Sequence, residues 1–164
     1  MKTGESGIKL IKDFESLHDG DLKQIGLQPK MCPAGIWTEG YGRAMRDSKG
    51  NFIKGSGNKA LAMSRISIHN EQEAILALAQ DLSPREHIVM QNVKVPLTQN
   101  QFDALVSYVY NTGGSQSLYN LINKKSSDEQ IRWWFENKYI TGGGKVLAGL
   151  IRRRKAEADL YFKK

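Results

Sequence analysis

The chain has 164 residues, 40% of them hydrophobic and 25% charged, which is enough for one sizeable core and too little for a multidomain protein. That apolar fraction argues against disorder, and with no run of about 18 consecutive apolar residues a membrane span is not expected. Twenty-four Lys and Arg against 17 Asp and Glu leave +7, a field that draws nucleic acid, acidic lipid or anionic wall polymer without choosing among them.

Behind Ser6, read as an N-cap, Ile8, Ile11, Phe14 and Glu15 fall at helical spacing and predict a first helix over 7–17. From Gly20 to Gly57 the chain is rich in Gly, Pro, Asp and Asn. Short runs such as Gly35-Ile36-Trp37-Thr38 and Asn51-Phe52-Ile53 stand between turn signals, so hairpins and loops are predicted over about 18–60. Over 61–164 the punctuation is helical. Asn70 with Glu73, Ser83 with Pro84 and Glu86, Thr98 with Gln101, and Ser127 with Gln130 each set a capping residue three before Glu or Gln, marking helix starts. Phe102, Leu105, Val106, Val109 and Tyr110 form the stripe of a core helix that Gly113-Gly114 stops. A last helix follows Gly142-Gly143-Gly144 and runs to about Phe162, with Arg152, Arg153 and Arg154 on its exposed side. The expected architecture is α+β in a single domain over 1–164, a small β lobe packed against a larger helical lobe with a cleft between them.

The single cysteine, Cys32, permits no internal disulfide, and His18, His69 and His87 show no metal-ligand spacing. MKTGESGIKLIKDF lacks the apolar run of a secretory signal, so the chain is expected to stay in the cytoplasm until something else releases it. Three residues draw attention as chemistry. Glu15 ends the first helix beside Phe14, at the junction of the lobes, where an apolar neighbour favours a protonated carboxyl; a solvated helix-end glutamate fits the pattern too. Cys32 lies in a turn between Met31 and Pro33, where a thiolate can act and a small buried hydrophobe also fits. Thr38 taken alone is a strand residue.

Together they form a signature. Phe14-Glu15-Ser16-Leu17 followed by Cys32-Pro33-Ala34-Gly35-Ile36-Trp37-Thr38-Glu39-Gly40-Tyr41-Gly42 resembles the phage-type lysozymes, glycoside hydrolase family 24, the group of T4-like and P22-like endolysins. Val95-Pro96-Leu97-Thr98 through Leu105, with Asn111 and Gly113, resembles the family's central-helix segment. Gly143-Gly144-Lys145-Val146-Leu147 through Arg152-Arg153-Arg154 to Glu157 resembles its C-terminal one. In the family pattern a Glu is followed by an Asp, sometimes a Cys, then five residues and a Thr. Glu15, Cys32 and Thr38 fall on those positions. Two departures stand out: a longer segment between Glu15 and Cys32, read as an extra loop over about 19–28, and Arg43 where the family usually has His.

The resemblance implies a lysozyme-like fold and a muramidase that cleaves the β-1,4 bond between N-acetylmuramic acid and N-acetylglucosamine, leading to host lysis. Glu15 would be the general acid. Thr38 would hold water, and Cys32 would act as base, nucleophile or charge stabiliser. Asp19, Asp21 and Glu39 rank below Cys32 because only Cys32 has the spacing to Thr38. Tyr110 and Ser117 are the candidate substrate contacts, while Trp37, Trp133 and Trp134 either stack on sugars or fill the core. The resemblance implies no metal or organic cofactor, peptidoglycan as the partner, no stable membrane insertion, a monomer, and a holin-type breach for access to the wall. Two other readings compete: a wall amidase or peptidase pairing Cys32 with His18 or His69, and a basic nucleic-acid binder suggested by +7 and the Arg run. Pro33 directly after the cysteine disfavours the first, and the lack of a recognition-helix motif disfavours the second.

Overall fold

A computed structural model describes residues 1–19 and 28–164, with the side chains of 16–19 excepted. The extra loop expected over about 19–28 therefore falls almost wholly outside the described residues, as do Asp21 and the side chains of His18 and Asp19. The chain divides into two compact units, Lys12–Asp81 and the pair of segments Met1–Ile11 and Leu82–Lys164. Helices α1 (Glu5–Asp19) and α3 (Glu71–Asn92) run through both division points.

In the unit Lys12–Asp81, β1 (Lys30–Met31), β2 (Trp37–Glu39) and β3 (Arg43–Ala44) form an antiparallel sheet in that order, with Lys30 opposite Thr38 and Thr38 opposite Ala44. Gly40 makes the β2–β3 turn possible: its φ is +58°, and a Cβ there would stand 2.8 Å from Ile68 Cδ1. Behind the sheet, Trp37, Met45, Ile53 and Ala62 bury together, Ala62 coming from α2 (Lys59–Ser64), and the Trp37 indole N–H donates to Gly55 O at 2.8 Å. Two polar clamps hold α3 in this unit. Arg43 donates from Nε and Nη2 to the Asp81 carboxylate, both at 3.0 Å, and from Nη2 to Ala77 O at 2.8 Å. Glu71 accepts from Lys12 Nζ at 3.0 Å and from the Tyr41 hydroxyl at 3.1 Å.

The other unit is built around α4 (Gln99–Thr112), in which every residue from Phe102 to Val109 is buried. Thr98 and Gln101 close the expected capping box, and Gly113 ends the helix at φ +83°. α5 (Gln116–Asn123), α6 (Asp128–Asn137) and α7 (Ala148–Tyr161) complete it, with a hairpin of β4 (Thr141–Gly142) and β5 (Lys145–Val146) on the glycine break before α7.

Three expectations are corrected. Ser6 is not the cap of the first helix, which starts at Glu5. Buried Asp103 on α4 accepts from the N–H groups of Gly4 at 2.8 Å and Gly7 at 3.0 Å, satisfying donors that a local cap would have served. Ser83-Pro84 starts no helix but lies inside α3. Burying Leu78, Leu82 and Val89 along that helix, at about 1.5–3 kcal/mol for each fully buried side chain, offsets the ~3 kcal/mol an interior proline costs. Finally, only Arg152 of the arginine run is exposed. Arg153 and Arg154 are 1% and 0% accessible, turned inward to Glu157, which is also fully buried and accepts from the Ser107 hydroxyl at 2.8 Å. Burial pushes the Glu157 carboxyl up and the Arg154 guanidinium down from their ordinary values, and their mutual attraction opposes both shifts.

Candidate active site

Two of the expected residues belong to the β1–β2 hairpin. Cys32 follows β1 in a tight turn, its N–H donating to Ile36 O and its carbonyl accepting from Gly35 N–H, both at 2.8 Å. Thr38 stands on β2 opposite Lys30, two residues before Cys32. Cys32 is half-buried and Thr38 buried. The Thr38 hydroxyl donates to Lys30 O at 3.0 Å, which fixes its hydrogen inside the hairpin and leaves the oxygen as an acceptor for a water proton.

Glu15 sits half-buried on α1 beside Phe14 and belongs to the same compact unit as the hairpin. The rival carboxylate Glu39 is occupied elsewhere. It is buried, and it accepts from the Ser67 N–H at 2.9 Å, the Ser67 hydroxyl at 2.5 Å and the Ile68 N–H at 3.2 Å, so it ties β2 to the segment before α3. His69 is engaged at the head of α3, its Nδ1 3.1 Å from Glu73 Oε2. Among the described residues, no three His, Cys, Asp or Glu side chains gather as a metal site.

Tyr110 and Ser117 belong to the second unit. The half-buried Tyr110 ring has the Arg85 guanidinium 5.7 Å from its centroid. Ser117, exposed on α5, lines a pocket of about 540 Å³ with Asn120, Leu121, Gln130, Trp133 and Trp134. Trp133 is 55% accessible there, whereas Trp37 is core. An exposed indole beside hydroxyl and carboxamide groups suits a ligand with apolar faces and polar edges. Asn111, next to Tyr110, belongs to the segment that resembles the family's central helix, and its side-chain oxygen accepts from Arg154. Its contact with Arg154, at 2.7 Å across 43 residues, leaves no local signal.

The family model described as Phage lysozyme matches residues 22–157. The chain belongs to the phage lysozyme family. This lysozyme is 30% identical to an endolysin of Acyrthosiphon pisum secondary endosymbiont phage 1, over 98% of each chain. Among solved structures, the endolysin from Escherichia coli O157:H7 phage FAHEc1 shares 31% identity and a TM-score of 0.69, covering 99% of this lysozyme and 94% of that chain. The muramidase domain of SpmX from Asticaccaulis excentricus shares 27% identity and a TM-score of 0.70, covering 99% of both. The α+β arrangement of strands and helices is that of the lysozyme-like fold.

Proposed function

We propose that this phage lysozyme is an endolysin muramidase that hydrolyses the β-1,4 bond between N-acetylmuramic acid and N-acetylglucosamine in bacterial peptidoglycan, and so lyses the host. The observation that carries the reading is the β1–β2 hairpin, which sets Cys32 in its turn and Thr38 on β2 with the Thr38 hydroxyl donating to Lys30 O, so that its oxygen can accept from water. Glu15 gives its proton to the glycosidic oxygen, which leaves on the glucosamine side as the bond to the muramic C1 breaks. Positive charge builds on the muramic ring. Thr38 holds the water that adds to C1, and Cys32 acts as a thiolate that stabilises this charge or takes up the water's proton. Tyr110 and Ser117 contact the glycan, and the pocket beside Ser117, with its exposed Trp133, supports the second of these contacts.

The same reading carries the protein's setting: a monomer that uses no metal or organic cofactor, accumulates in the host cytoplasm and reaches the wall after a holin-type membrane breach. Digestion of purified peptidoglycan followed by end-group analysis tests it. The expected products carry new muramic acid reducing ends. New free amines without reducing ends would instead support the amidase reading of Cys32, and an undigested wall would contradict both.

A further inference from the structure

The buried charges of α7 terminate on one exposed side chain. Arg154 has no accessible surface, its Nε lies 3.1 Å from Glu157 Oε2, its Nη2 donates to Glu157 Oε1 at 3.3 Å, and its guanidinium stands 4.9 Å from the Tyr108 ring centroid. Nη2 also donates to Asn111 Oδ1 at 2.7 Å. A guanidinium only donates, so the carboxamide oxygen of Asn111 is the atom that faces it, and the amide nitrogen with its pair of N–H groups is turned elsewhere. Asn111 is exposed in the last turn of α4, one residue after Tyr110, and its side chain makes no other hydrogen bond among the described residues.

Holding α7 against α4 does not require this arrangement. Two buried arginines share one buried carboxylate, and an apolar set of similar volume packs as well without desolvating charge. The ionic set adds a fixed direction for one surface amide. A free surface asparagine samples several rotamers and either amide orientation, whereas this one presents a donor pair already ordered before a ligand arrives.

We propose that Asn111 is a specificity-determining residue whose Nδ2 donates to an acceptor oxygen of the glycan, and that Arg154 is a positioning residue that fixes the carboxamide for that bond. The proposal rests on the muramidase reading above and deepens it by assigning a donor for the sugar chain.

The test is kinetics on soluble peptidoglycan fragments, with a thermal midpoint for each variant. Asn111→Asp keeps an oxygen against Arg154 but removes the outward donor, while Asn111→Ala removes both. KM should rise about tenfold in both variants, the scale of one lost hydrogen bond, with kcat within about twofold of wild type. The midpoint should hold or rise for Asp and fall for Ala. A purely structural role gives a different pattern, in which activity follows the midpoint and the Asp variant matches wild type. Arg154→Lys should raise KM in the wild-type background and add nothing in Asn111→Asp, because the group it orients is gone. An Asp variant with wild-type KM overturns the proposal. So does a KM rise confined to Asp, which would be repulsion of anionic fragments, and so does an equal effect of Arg154→Lys in both backgrounds. Release of sugar reducing ends by the wild type is the internal control: its absence sinks the muramidase reading, and its presence with unchanged KM in both Asn111 variants removes only the role of Asn111.

Discussion

Cys32 has its backbone N–H and carbonyl committed to the hairpin turn while its side chain stays half-buried, so the thiol is held in place and remains within reach. If it supplies the second group of the reaction, Cys32→Asp should keep substantial activity, because a carboxylate also directs water or stabilises ring charge. Cys32→Ala should lose activity by about 10²-fold with little change in thermal midpoint, and bound cell-wall oligosaccharide should slow alkylation of the native thiol by iodoacetamide. A fully active Ala variant would remove Cys32 from the chemistry. Cys32 and Thr38 were picked out by their match to the family pattern, in which five residues separate the two positions. The burial of Arg153 and Arg154 was not legible in the sequence, because a run of like charges reads as a solvated face and, apart from Glu157 on the same helix, the groups that meet it, Ser107 and Asn111, lie more than 40 residues away.

Helix caps satisfied locally were readable, and the one supplied from a distance was not, although the helix itself was. Thr98 and Ser127 close their boxes within three residues, whereas α1 receives its cap from Asp103, 96 and 99 residues from the N–H groups it serves. The same N-terminal segment is held to α3 by Glu86, which accepts from the Thr3 N–H and hydroxyl at 2.8 Å and from Lys2 Nζ at 2.9 Å. Burial alone would raise the Glu86 carboxyl, but these donors outweigh it and hold the group below the usual glutamate value. A depressed folded pKa stabilises the protein above the unfolded value near pH 4.5, and that contribution is lost as pH falls through the lower folded value. Glu86→Gln should therefore lower the thermal midpoint by about 2–4 °C at pH 7, and the deficit should shrink toward pH 3. Scanning calorimetry of the pair across that range checks it, and a deficit independent of pH would contradict it.

At the scale of the whole molecule, the division into a glycine- and proline-rich stretch and a capping-rich one was enough to read the α+β class, because turn chemistry and helix punctuation are local. The net charge was harder to place. The burial of Arg153 and Arg154 does not reduce it, because Glu39, Glu86, Asp103 and Glu157 are buried as well. Wall lysis by general-acid hydrolysis depends on the proton of Glu15. The most direct measurement is the rate of reducing-end release from peptidoglycan by Glu15→Gln, with its thermal midpoint alongside. Gln keeps the size and hydrogen bonding of the side chain but has no carboxyl proton to give. The rate should fall by about 10²-fold or more while the midpoint stays near wild type. A folded Glu15→Gln protein with wild-type turnover would remove Glu15 from the role of general acid.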